Sequence, residues 1–177
     1  MLDEIAQPGF DVNKLSVWNK VRLVRECGGL LIDILEGETI EGVLDLGYCV
    51  SLTHLPRHFA VHGYLDLRGC VSLVCLSANL TISGFINLAN CTSFICIPKN
   101  MTIDGHAYIY KCTSMTTLPV GLHVTRDLAL EGCTALTHLP ADLRVDGCLY
   151  LDGCTSLTCI PKTIMVGGKI DLPRHLT

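Results

Sequence analysis

Long hydrophobic runs are missing from this chain, although 49% of its 177 residues are apolar and mean hydropathy is +0.44. No apolar stretch approaches the roughly eighteen residues of a membrane span. The opening stretch MLDEIAQPGFDVNK is acidic and lacks the basic flank and apolar segment of a secretory signal. Charged residues are scarce at 17%, net charge is −4, and the 13 Lys and Arg form no cluster, so no nucleic-acid footprint is present. Seven scattered histidines give no local motif, and no Ser or Cys nucleophile has a His and a carboxylate at a recognisable spacing. The sequence therefore offers no catalytic residue, no cofactor motif and no dedicated metal ligand set. Strong hydropathy without runs means that apolar residues are dispersed at regular intervals.

The interval is 21 residues, marked by Cys49, Cys70, Cys91, Cys112, Cys133 and Cys154. Around them one phrase recurs, most cleanly as GCLYLDGCTSLTCIP from Gly147 to Pro161. A fixed period of this size marks a chain that stacks near-identical coils. Counting from Gly42, six full units and a partial seventh fit, and 177 residues make one domain. The third position of each unit holds Leu44, Leu65, Ile86, Ala107, Leu128, Leu149 and Ile170. Further apolar columns stand at positions five, eleven, fourteen, eighteen and twenty, and these are the predicted core. Around Val61, Gly63, Leu65 and Leu67 the spacing of two predicts a strand. From Cys70 through Leu73 to Leu76 the spacing of three predicts a curved, non-helical or 3₁₀ arc. Pro56, Pro98, Pro119, Pro140 and Pro161 then turn the chain. The expected fold is a repeat solenoid with a parallel β-sheet of about seven short strands, roughly 30 Å long at the usual interstrand spacing.

Residues 1–41 stand apart as an N-terminal cap and a degenerate first coil, with the solenoid over residues 42–177. Leu15, Trp18, Val21 and Val24 form a helical stripe, with Asp11 or Asn13 as N-cap and Gly28-Gly29 as the stop. Such a helix would cover the open apolar face of the first coil.

Eleven cysteines raise the question of disulfides, but the number is odd and six obey the repeat register. Equivalent residues on adjacent parallel rungs point the same way at about 4.8 Å, which is awkward for a bridge. Free thiols packed as small apolar groups are the expectation, and with them a cytoplasmic or other reducing compartment. A separate column, His54, Cys75, Cys96, Thr117, His138 and Cys159, lies just before the Pro corner. His54, Cys75 and Cys96 there leave metal chelation or oxidation open. Asn79, Asn90 and Asn100 match the N-glycosylation pattern, which a Thr-rich repeat also produces by chance.

The stretch Leu65-Asp66-Leu67-Arg68-Gly69-Cys70 resembles the leucine-rich-repeat signature LxLxxN/C. The following CTSLTxLP text is similar to the short repeats of bacterial leucine-rich proteins, including secreted effectors. The resemblance covers about residues 42–172 and implies a leucine-rich-repeat solenoid, a bacterial origin and delivery into a host cell without a cleavable signal. Two departures stand beside it. Val or Ile lies four residues before the LxL pair in place of a leading Leu three before, which keeps a right-handed β-helix as runner-up. No cysteine is followed two residues later by Asp, so the ligase activity of some effector relatives is not implied.

Function then falls to the outward face of the strands, at positions two, four and six. The candidate partner-binding residues are Tyr64, Asp66, Arg68, Phe85, Asn87, His106, Tyr108, Tyr110 and Tyr150. Aromatics flanked by charges have the composition of a protein-binding patch. The expectation is non-enzymatic recognition of a protein partner by a monomer. A self-assembling structural protein and a metal- or redox-responsive protein remain alternatives.

Overall fold

A computed structural model describes residues 11–177. The chain winds as a parallel β-solenoid whose front sheet runs β1 (Thr39–Asp45), β2 (Ala60–Asp66), β4 (Ile86–Asn87), β6 (Ala107–Tyr108), β8 (Leu128–Ala129), β10 (Leu149–Tyr150) and β12 (Ile170–Asp171). Every pairing is parallel, and each residue faces its equivalent 21 positions on, as Leu65 faces Ile86 and Ile86 faces Ala107. The return strands form a second ladder, β5 (Thr102–Ile103), β7 (His123–Val124), β9 (Arg144–Val145) and β11 (Met165–Val166), while β3 (Thr81–Ile82) pairs with β2. In the first two coils the return and front segments form one continuous strand; from the third coil a bend separates them.

The bend lies beside the glycine column, and close approach explains that column. A Cβ at Gly63 would stand 2.1 Å from the carbonyl oxygen of Gly42, and one at Gly84 would meet Gly63 in the same way. No side chain fits between these rungs. The front strand then ends in an i→i+3 turn, with Cys70 N–H donating to Leu67 at 3.1 Å. The third residue of that turn has positive φ in every full coil: Tyr48, Gly69, Asn90, Lys111, Gly132 and Gly153. A second turn follows at once, Leu73 N–H donating to Cys70 at 3.0 Å, so the arc is a single 3₁₀-like turn and not a helix.

The apolar columns fill the interior: Leu65, Ile86, Leu88, Phe94, Ile109, Met115 and Leu149 have no exposed surface. The six register cysteines are buried among them. Each from Cys70 onward also aims its thiol at a carbonyl of the preceding coil, such as Cys91 at Leu67 (3.1 Å) and Cys154 at Leu130 (3.1 Å).

Helix α1 (Val17–Glu26) precedes the first coil, as the stripe predicts, but its details differ. Ser16 is the N-cap, accepting from Asn19 N–H, whereas Asp11 caps a separate 3₁₀ turn over Val12–Lys14. The buried face is Lys20, Val21, Leu23 and Val24, and Trp18 is half exposed. The stripe holds for its second half, Val21 and Val24, and fails for its first, because Leu15 precedes the helix and Trp18 lies away from the core. Buried Lys20 is matched by Glu38, 2.5 Å away at the start of the first coil. Gly28 and Gly29, both with positive φ, end the segment as expected. At the opposite end, a 3₁₀ turn over Arg174–Leu176 bonds back to the last full coil through His175 and Leu157.

An aromatic ladder and an acidic groove on the front sheet

Parallel in-register stacking sets the side chains of one column about 4.8 Å apart. Aromatics on neighbouring rungs must therefore meet. Tyr64 meets Phe85 edge-on at 6.3 Å, and Phe85 meets His106 edge-on at 5.0 Å. The line then turns along a single rung, where His106 stacks on Tyr108 at 5.7 Å and Tyr108 on Tyr110 at 5.8 Å. Alternation along a strand puts these three on the same face. Five of the nine candidate residues thus form one continuous ladder. Phe85 remains 45% exposed, so the ladder is a surface and not a satellite core.

The other four candidates have different surroundings. Asp66 is only 3% exposed and its Oδ1 accepts from Arg68 N–H at 3.0 Å. Asn87 does the same for Ala89 N–H, and Asp45 for Gly47 N–H. Position four in the early coils is thus an Asx turn that shapes the strand exit. Asp66 and Asn87 also hold Tyr64: its hydroxyl accepts from Asn87 Nδ2 at 3.1 Å and lies 3.4 Å from Asp66 Oδ2. Arg68 lies over the Tyr48 ring, 5.7 Å from its centroid, with Nε 3.4 Å from Asp66. Tyr150 stands apart from the ladder, because Ala129 intervenes between it and Tyr108 on the sheet.

Beside Tyr110 the surface opens into a groove of about 530 Å³ lined by Ala89, Asn90, Tyr110, Lys111, Glu131, Gly132, Asp152 and Gly153. It lies where Ala89 beside Tyr110, and Gly132 and Gly153 in the adjoining turn column, carry little or no side chain. Oε2 of Glu131 is buried without a hydrogen-bond partner. Burial pushes the Glu131 carboxyl above its usual range, and the charges of Asp171 and Asp152 push it further. Burial and the Glu131 charge in turn raise the Tyr110 phenol. Asp127 is better served: its Oδ2 lies 3.2 Å from His106 Nδ1, and its Oδ1 accepts from Cys148 N–H at 2.7 Å. Glu131 and Asp152 are absent from the candidate residues read from the sequence. Their signal was their shared column with Tyr110, but whether a column member is exposed, paired or enclosed depends on its neighbours.

The column before the Pro corner takes the oxidation alternative left open for it, and this corrects the expectation that all the thiols are free. Cys75 and Cys96 are joined as a disulfide with Cα atoms 4.9 Å apart, so they are not free thiols and offer no thiolates to a metal. Adjacent rungs of a parallel ladder do admit a bridge where the pair lies at the surface and the backbone is pinned only by an isolated parallel contact. His54 is occupied by Asp33 and Thr53, each at 3.0 Å. Among the described residues no group of three His, Cys, Asp or Glu is placed to hold a metal ion. No described helix is long and apolar enough to cross a membrane.

Fold and surface together define a class: a parallel β-solenoid that displays an aromatic ladder and an acidic groove on its front sheet. No family model, curated protein or solved structure matches this chain.

Proposed function

We propose that this chain is a leucine-rich-repeat recognition module that binds a protein partner through the front sheet, without an enzymatic step of its own. The observation that carries the reading is the unbroken ladder Tyr64–Phe85–His106–Tyr108–Tyr110 on a rigid support. Aromatics lose little rotamer freedom on binding, and a ladder held by its neighbours loses less. The leucine-rich-repeat assignment rests on the LxLxxC text together with a thiol that bonds the neighbouring coil beneath the turn. Resemblance to effector repeats supports a bacterial protein acting inside a host cell; nine free cysteines suit that reducing compartment, whereas the Cys75–Cys96 bridge does not. Capture experiments with the intact chain and with Tyr108→Glu/Tyr110→Glu test the site. A partner retained equally by both would overturn it.

A second reading has one observation in its favour. Among the described residues strand β12 pairs on one side only, with β10, and both of its residues are exposed. An unpaired edge can accept another strand, so end-to-end stacking of copies is the alternative. Sedimentation velocity across a wide concentration range decides it, since stacking makes size grow with concentration.

A further inference from the structure

We infer that the groove beside Tyr110 receives an arginine side chain from a basic segment of the partner, a conclusion that rests on the recognition function proposed above. The groove has one aromatic wall, Tyr110, and two carboxylates, Glu131 and Asp152. Neither carboxylate forms an ion pair among the described residues, and Asp171 adds a third nearby charge that likewise has none. Lys111 also lines the groove without pairing to either.

Three consequences of this arrangement converge on a cation. First, one oxygen of Glu131 is enclosed with no donor, a cost that a positive charge beside the carboxylate would reduce. Second, Asp171 and Asp152 add to burial in raising the proton affinity of Glu131, an effect that a positive charge in the groove would oppose. Third, a tyrosine ring beside carboxylates suits a planar guanidinium, which stacks on the ring while its N–H groups reach the oxygens. A metal ion is disfavoured, because the described residues include no cluster of three ligating side chains. Trough geometry favours an extended segment, because four successive coils each contribute a pair of lining residues, from Ala89 and Asn90 to Asp152 and Gly153.

The test uses the full chain, isotope-labelled for amide NMR, and two blocked peptides, Gly-Arg-Gly-Arg-Gly and its citrulline counterpart. Citrulline keeps the shape of arginine and removes the charge. Saturable shifts centred on Tyr110, Glu131 and Asp152 are expected with the arginine peptide. Citrulline, and separately Glu131→Gln/Asp152→Asn, should each weaken binding about tenfold, equivalent to ~1.4 kcal/mol. Equal binding of both peptides, binding elsewhere, no binding, or undiminished binding by the double variant would overturn the inference. So would displacement of the peptide by Mg²⁺ alone, or self-association of the chain through this groove. A captured partner lost on Tyr108→Glu/Tyr110→Glu but kept on Glu131→Gln/Asp152→Asn would leave the recognition face standing and reject the arginine groove. Thermal melts of the variants establish that both fold.

Discussion

The thiol of Cys112 lies 3.1 Å from the carbonyl oxygen of Leu88, one coil before it. Leu88 already accepts the N–H of Cys91, which closes its own turn. One carbonyl therefore serves the turn within its coil and the thiol of the next. The same relation ties Cys70 to Leu46 and Cys154 to Leu130. The cysteine ladder is a set of intercoil S–H···O contacts in a dry interior, where thiols are more useful than thiolates.

Thiol chemistry should divide accordingly. Nine cysteines are free, six buried in the ladder and three, Cys27, Cys148 and Cys159, at least partly accessible. A thiol reagent applied to the native protein should modify those three quickly and the ladder only on unfolding. Cys75 and Cys96 should react only after reduction. Mass mapping of the modified residues checks this, and rapid native labelling of Cys91 or Cys112 would contradict it.

Alkali should destabilise the fold through the same thiols. Burial pushes Cys70 and Cys154 up to about 12 and Cys91 to about 11, from a reference value of 9.0. Raised folded values mean that the folded chain keeps protons which the unfolded chain releases. The contribution is complete below pH 9.0 and is lost as pH rises toward 11 and 12. Each such thiol adds a slope of ~1.4 kcal/mol per pH unit in that window. Urea midpoints at pH 8, 9 and 10 should fall with increasing steepness, and Cys70→Ala should reduce the slope.

The disulfide makes a separate contribution. Cys75 and Cys96 close a loop with a sequence separation of 21. In the chain-entropy account a loop of that size restricts the unfolded state by about 3 kcal/mol. Denaturant midpoints with and without reductant should differ in the wild type. Cys75→Ser/Cys96→Ser should match the reduced protein and respond to reductant no further.

The turn column gives a pair of opposite effects. Lys111 has φ 55° where Gly132 and Gly153 hold the same place in later coils. A side chain in the left-handed region costs ~1–2 kcal/mol, part of which glycine returns through the flexibility of the unfolded chain. Lys111→Gly should therefore stabilise by about 0.5–1 kcal/mol. Gly132→Ala should destabilise by ~1–2 kcal/mol, because it adds that strain and places a Cβ 3.0 Å from Lys111 Cγ. Equilibrium unfolding in urea measures both.

The contrast between these residues shows what the sequence could express. A period of 21 with Leu65, Leu67, Cys70 and Leu73 in fixed columns dictates rung, register and core, because every coil repeats the same packing problem. The aromatic ladder was legible by the same ruler: columns two, four and six face outward, so Phe85, His106 and Tyr108 had to be neighbours. The duties of Asp66 and Asn87 were not, because an Asx bond forms within one coil and leaves no mark on the spacing. Cys75 and Cys96 were legible only as a possibility, since register alone gives proximity and exposure decides whether proximity becomes a bond. The buried face of α1 was read only in part, Val21 and Val24 but not Lys20 and Leu23, because the period ends there and only one helix supplies the pattern.

Glu131 carries the last test, which separates fold from binding. Its carboxyl is pushed above the reference value of 4.5, first by burial and then by Asp171 and Asp152. With the folded value raised, its favourable contribution is complete below pH 4.5 and is lost as pH rises through the folded value. At neutral pH the ionised carboxylate is therefore a liability to the free protein. Glu131→Gln should melt at a higher temperature than the wild type at pH 7, and the gap should close near pH 4. A charge retained at a cost in stability has a use when a cation reaches it. The arginine peptide should accordingly raise the wild-type melting temperature at pH 7 and leave that of Glu131→Gln/Asp152→Asn nearly unchanged. If the wild type and Glu131→Gln melt together at pH 7, the enclosed oxygen is already satisfied in solution and the case for a missing cation fails.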